Sequence, residues 1–292
     1  MSGVTVSIDL HVHSDDSYDG HEPIELILEH AADIGLDAVV ITDHDVIGES
    51  KRAAEIADEY GLIGIPGVEV STAHGHLLAA GIDRMPPRRR PYAETIEWIH
   101  DHGGVAIVPH PFQRSRHGVR ERNIPVPDAT REEAGAGDSV DSANAIDEVD
   151  AVEVFNAWLF TGYRNRRARR FAAKYDYPGV AASDAHDLEY VGRAFTELEI
   201  EGTDAISEVT AADVLDAIRE GTTSVNGRRA PVPMAAKHYV VAAARKSGYY
   251  AQTGATRSAT GVKWAVTEAS SMIRVATLQA IHRAGRALSW VT

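Results

Sequence analysis

Several short segments of the chain gather histidine and carboxylate side chains at spacings that suit metal-ion chemistry. The first is Asp9-Leu10-His11-Val12-His13, which closes a β-branched run beginning at Val4. Side chains alternate along a strand, so His11 and His13 project from one face about 7 Å apart along the chain. They converge on a single ion if the strand bends at its end. Asp9 lies on the same side and is a candidate to orient a ligand from behind. Taken alone, His-X-His also suits ordinary surface or core histidines, and Asp19 reads equally as a turn aspartate. The pattern then recurs: Thr42-Asp43-His44-Asp45, Pro66-Gly67-Val68-Glu69 followed by His76, Pro109-His110-Pro111, and Ser183-Asp184-Ala185-His186. Each stands at the end of an apolar run. Glu69 is flanked by valines, where a carboxylate is costly unless a cation pairs with it. One polar strand ending is a cap or a turn; five in succession argue for a multinuclear metal site.

The runs that deliver these residues read as strands at Val4 to Leu10, Ala38 to Ile41, Leu62 to Val70, Val105 to Pro109, Ala151 to Phe155 and Gly179 to Ser183. An extra strand is expected at His76 to Ile82, after a turn at His74-Gly75. Helices are expected to begin near Pro23, Gly48, Tyr92 and Tyr163, with a further one between an N-cap at Thr210 and a stop at Gly221. Strands alternating with helices signify parallel β/α construction, and the strands' C-terminal ends are where barrel enzymes place reactive groups. Residues 113–147 break this rhythm, being rich in Arg, Asp, Glu, Gly and Pro, and are read as a long surface loop placed to act as a lid. After Arg229 come Pro231-Val232-Pro233 and two Ala-rich helical stretches, about 234–246 and 261–288. The expected organisation is a catalytic domain over residues 1–230 and a helical C-terminal extension over 231–292.

Composition narrows the chemistry. The chain has 292 residues and no cysteine, so disulfides, thiolate ligands and cysteine nucleophiles are excluded and any metal sits on nitrogen and oxygen. Asp plus Glu number 43 against 29 Lys plus Arg, a formal charge of -14. Lysines are confined to Lys51, Lys174, Lys237, Lys246 and Lys263, a balance that resembles proteins of salt-loving archaea. A net negative field disfavours non-specific binding to nucleic acid or anionic membrane. No basic leader and no apolar run of about 18 residues is present, so a soluble, cytoplasmic protein without a membrane partner is expected.

The segments DLHVHSDDSYDG, ITDHD, GVEV, the histidine of HGHLLAAGI, PHP and SDAH, in this order over residues 9 to 186, resemble the PHP superfamily, named for polymerase and histidinol phosphatase. The resemblance implies an α/β fold, a distorted TIM-like barrel of seven strands, and a cluster of two or three divalent ions. It implies His11 and His13 with Glu69 and Asp184 at one ion, Glu69 bridging to a second held by His76 and His110, and Asp19, His44 and His186 at a third. Six of these nine ligands are imidazoles, which favours zinc, manganese or iron over magnesium or calcium.

Clustered divalent ions activate water near neutral pH for in-line attack on phosphorus, so the expected function is hydrolysis of a phosphate monoester, on a small metabolite or a nucleotide. His11, His13, Glu69, Asp184 and His186 are the expected catalytic core. Arg114 and Arg116, just after His110, and Arg193 are candidates to hold phosphate oxygens. Two alternatives stand beside this reading. One is a 3'-5' exonuclease or oligonucleotide phosphodiesterase, for which Arg164, Arg166, Arg167, Arg169 and Arg170 would line a groove, although arginines on one helix are usually a solvated face. The other is a non-catalytic, metal-stabilised binding module. The Ala-rich tail is a candidate surface for homo-oligomerisation.

Overall fold

A computed structural model describes residues 3–126, 148–158 and 162–229. Nine strands lie in this described part: β1 (Gly3–Val12), β2 (Ala38–Ile41), β3 (Gly67–Ser71), β4 (His76–Ala80), β5 (Val105–Val108), β6 (Ala151–Asn156), β7 (Gly179–Ala182), β8 (Ala194–Glu201) and β9 (Thr223–Gly227). Five α-helices accompany them: α1 (Ile24–Asp33), α2 (Gly48–Ile56), α3 (Tyr92–Asp101), α4 (Tyr163–Tyr175) and α5 (Ala211–Glu220). The chain is therefore mixed α/β.

The strands form two sheets, in the orders β2-β1-β8-β9 and β3-β4-β5-β6-β7. Between the sheets run only isolated bridges, Val12 to Ala185, Ala38 to Ile63 and His44 to Glu69. The ladders thus show two sheets rather than the closed seven-stranded TIM-like barrel expected from the sequence. Construction is not uniformly parallel either. The pairs β1–β2, β5–β6 and β6–β7 are parallel, whereas β1–β8, β3–β4, β4–β5 and β8–β9 are antiparallel. A cause is visible at β3–β4: four residues separate the two strands, too few for a crossover, so they must turn back on each other. Gly75 makes that turn with φ 141°, where a Cβ would sit 2.6 Å from the main-chain oxygen of His117.

The short apolar strands are buried on both faces. In β5, Val105 and Ile107 join the core between the sheets' inner faces, while Ala106 and Val108 pack on the opposite side with Ile96 and Ile99 of α3. Helix α1 buries Ile24, Ile27, Leu28 and Ala31, the i, i+3, i+4, i+7 stripe of an amphipathic helix. Helix α5 has the expected ends. Thr210 and Asp213 form a reciprocal capping box, and Gly221 closes the helix at φ 76°; such a cap contributes about 1 kcal/mol.

Of the 113–147 segment, Gln113 to Val126 is described and contains 3-10 turns at Arg114–Arg116 and Glu121–Asn123; the rest of the expected lid, and the helical tail over 231–292, lie outside the described residues. No helix among the described residues is long and apolar enough to cross a membrane.

Candidate metal centre

The ends of five strands, β1, β2, β3, β5 and β7, converge. Register shifts between Asp9 and Val12 where β1 pairs with β2. The Nε2 atoms of His11 and His13 meet at 3.1 Å. Beyond β2 the chain continues alongside β3 through the His44–Glu69 bridge. Beyond β5 and β7, His110 and Asp184 take φ of 28° and 56°. A left-handed backbone at such residues costs on the order of 1–3 kcal/mol and persists only where surroundings impose it.

Glu69 is the hub, with no solvent exposure. Its Oε1 lies 2.7 Å from His76 Nδ1 and 3.0 Å from His110 Nε2. Its Oε2 lies 2.9 Å from His44 Nδ1, 3.5 Å from His11 Nε2 and 3.6 Å from His13 Nε2. Asp184 Oδ1 is 3.5 Å from both His11 Nε2 and His13 Nε2. Asp19 Oδ2 is 3.4 Å from His44 Nε2 and from His186 Nε2. The structure thus gathers all nine expected ligands, in overlapping groups: His11, His13 and Asp184; His11, Glu69 and His110; His44, Glu69 and His76; and His13, Asp19, His44 and His186. His110 and His76 share Glu69 but fall into separate groups, one with His11 and the other with His44.

The electrostatics favour positive charge at this point. Burial alone would push Glu69 up, but the imidazoles of His76, His44 and His11 outweigh it and hold the carboxyl well below its usual range. Asp184 is held well below likewise, burial being overcome by Arg116 and His11. Burial would lower His44, yet Glu69 and Asp19 raise it to about 10. His13 is lowered to about 3 by burial and by His186, so it stays a neutral donor. His13 Nδ1 and His110 Nδ1 are buried without a hydrogen-bond partner. Orphaned groups of this kind cost about 1–3 kcal/mol each, and the Nε2 atoms of the same two rings face Glu69, where a cation would take their lone pairs. Buried carboxylates from Asp19, Glu69 and Asp184, with imidazoles in excess, fit divalent ions on nitrogen and oxygen.

The other expected residues are placed variously. Arg116 reaches into the cluster, its NH2 2.8 Å from Asp184 Oδ1. Arg114 is exposed on the same 3-10 turn. Arg193 donates to the main-chain carbonyl of Arg229 at 3.1 Å. Asp9 does not orient a ligand side chain: its carboxylate accepts from the main-chain N–H groups of Ser183, Gly192 and His11, tying β1 to the loops after β7 and before β8. Asp43 accepts from Ser14 N and Oγ, and Asp45 from Ser71 N, so both acids flanking His44 brace loops. The arginines of α4 are scattered in role, with Arg167 on Glu121 at 2.8 Å and over the ring of Phe112. At the rim, Tyr18 stacks on His44 and His117 on His76.

Sequence reasoning passed over Glu153. It is fully buried in β6, with His11 Nδ1 at 2.7 Å from its Oε1 and His110 N at 2.7 Å from its Oε2. The signal was available: Ala151-Val152-Glu153-Val154 repeats the Val-Glu-Val setting of Glu69.

Residues 9–125 match the family model described as the PHP domain, and residues 162–223 match one described as PHP-associated. An uncharacterized protein of Methanocaldococcus jannaschii is 29% identical over 170 residues, 55% of this chain and 87% of its own length. A phosphoribosyl 1,2-cyclic phosphate 1,2-diphosphodiesterase of Eggerthella lenta is 34% identical over 85 residues, which is 27% of this chain and only 32% of that protein. The crystal structure of PsfC from Pseudomonas syringae PB-5123 superposes with a TM-score of 0.57 at 18% identity, covering 85% of this chain and 99% of the other, a likeness of fold. The chain is therefore similar to the PHP domain over residues 9–125 and to the PHP-associated segment over residues 162–223.

Proposed function

We propose that the protein is a metal-dependent phosphoesterase that hydrolyses a phosphate monoester, a small metabolite or a nucleotide. The observation that carries the reading is the convergence of nine buried or nearly buried nitrogen and oxygen donors around Glu69. His11, His13, Glu69 and Asp184 would hold one ion, Glu69 with His76 and His110 a second, and Asp19, His44 and His186 a third. Ions of zinc, manganese or iron supply Lewis acidity toward phosphoryl oxygens and activate water near neutral pH. The chain's own groups do the rest. Arg116 stands beside Asp184, placed to take a non-bridging phosphate oxygen, with Arg114 two residues before it on the same 3-10 turn. The donors are largely buried, so charges among them are screened less than in bulk water. The cyclic-phosphate diphosphodiesterase named above lends support from a relative over a short stretch.

A second reading, an exonuclease or oligonucleotide phosphodiesterase, draws on α4. Arg166, Arg169, Arg170 and Lys174 are exposed at helical spacing that puts them on one stripe, the arrangement a phosphate backbone would follow.

The test is a substrate panel. Full-length protein loaded separately with zinc, manganese or iron is assayed on nitrophenyl phosphate, nucleoside monophosphates, a dinucleotide and single-stranded DNA. Phosphate release from the monoesters, faster than any diester cleavage, is expected. Preferred cleavage of the dinucleotide or DNA would transfer the assignment to the second reading. Metal uptake without turnover of any substrate would leave a metal-stabilised binding module.

A further inference from the structure

Strand β6 supplies none of the nine candidate ligands, yet its polar side chains touch three of them from behind. We infer that Glu153 and Asn156 are positioning residues that fix the tautomer of His11 and the orientation of Asp184, so that both present lone pairs to the metal ions. The inference rests on the metal-dependent reading above.

A carboxylate only accepts hydrogen bonds. The 2.7 Å contact between Glu153 Oε1 and His11 Nδ1 therefore requires a proton on Nδ1. An imidazole that ligates an ion is neutral and carries one proton, so Nε2 then keeps its lone pair. Nε2 is the atom turned inward, 3.1 Å from His13 Nε2 and 3.5 Å from both Glu69 Oε2 and Asp184 Oδ1. The other oxygen of Glu153 accepts from His110 N at 2.7 Å and from Asn156 Nδ2 at 3.0 Å, so it also holds His110 in its left-handed conformation.

Asn156 completes the arrangement. Its amide nitrogen donates to two carboxylates, Glu153 Oε2 and Asp184 Oδ2, each at 3.0 Å, and its amide oxygen accepts from Trp158 N at 3.0 Å. The reverse placement would set the amide oxygen against both carboxylates, so the orientation is unambiguous. Its own main-chain N–H and carbonyl pair with the side chain of Asn165. Asp184 Oδ2 is thereby held from behind while Oδ1 faces the cluster. Every member is fully buried or nearly so, where a satisfied network is rigid and a half-satisfied one is costly.

Glu153→Gln tests the tautomer. The glutamine oxygen belongs where two donors meet, at His110 N and Asn156 Nδ2, which leaves its NH2 against His11 Nδ1. His11 must then accept there and move its proton to Nε2, toward the ions. Zinc affinity, measured by chelator competition, should fall about 10- to 100-fold. Nitrogen NMR of the zinc-loaded protein should show the His11 Nδ1 proton in the wild type and its loss in the variant. Glu153→Asp, which keeps the charge, should restore part of the affinity, and Asn156→Ala should weaken zinc binding while leaving the His11 tautomer unchanged. A folded Glu153→Gln protein with wild-type affinity and a retained Nδ1 proton would overturn the role of Glu153. Should that variant fail to fold, Asn156→Ala with wild-type affinity would overturn the role of β6. Wild-type protein that takes up no zinc would overturn the metal reading itself, a different result.

Discussion

Asp184→Asn is expected to lower turnover of a phosphate monoester by at least about two orders of magnitude, the scale of losing several kcal/mol of charge stabilisation at the reacting centre. The carboxylate is used on both sides. Oδ1 faces His11, His13 and the guanidinium of Arg116, and Oδ2 accepts from Asn156. An asparagine has one acceptor and one donor end. Whichever way its amide turns, an NH2 group meets either Arg116 or Asn156, both donors, and the negative charge is gone. The surrounding strands are untouched, so the variant should keep its circular dichroism and melt cooperatively. His186→Ala, which removes one of the two imidazoles 3.4 Å from Asp19, is expected to do the same. Wild-type turnover in a folded Asp184→Asn protein would remove that residue from the chemistry.

Glu69→Ala should have the largest effect on metal content. Five imidazoles lie within 3.6 Å of its two oxygens. Removing the carboxylate leaves donors with no shared anion between them, and the implied bridge is lost. Metal retained after dialysis should drop by more than half, with activity falling beyond about a hundredfold. Because truncating one partner of a buried charged cluster costs about 3–5 kcal/mol, melts of wild type and variant are compared after chelation. A difference that persists without metal is the contribution of Glu69 to folding; the remainder is its contribution through ions. Unchanged metal retention would show that Glu69 is a structural carboxylate only.

Much of the site was legible because its residues violate ordinary patterning at a fixed place. His44, Glu69, His110 and Asp184 each follow or interrupt a run such as Ala38 to Ile41 or Val105 to Val108 that is buried on both faces. A polar group there demands a partner. The same local signals placed α5, whose Thr210 and Gly221 ends depend on neighbouring residues alone. Strand direction was not legible in this way. Apolar runs look alike in parallel and antiparallel ladders, and the turnback at Gly75 depends on the four-residue connection rather than on the runs. The strand β8 was overlooked although Ala194, Thr196, Leu198 and Ile200 alternate with more exposed residues. Its threonine and glutamates diluted the apolar signal, and its burial comes from pairing with β1 nearly two hundred residues away. Asp9 misled for a related reason. Its partners, Ser183 N and Gly192 N, arrive from distant loops. Glu153 was the converse, a carboxylate between valines whose partner His11 is remote in sequence.

The metal content of the protein, measured directly, tests the central claim with the fewest intervening steps. Full-length protein is reconstituted with zinc, manganese or iron, dialysed, and analysed for bound metal per chain, then assayed on a phosphate monoester before and after chelation. Overlapping donor groups that share Glu69 predict at least two equivalents per chain and hydrolysis that disappears on chelation and returns with added metal. Less than one equivalent after reconstitution, or hydrolysis indifferent to chelation, would contradict it.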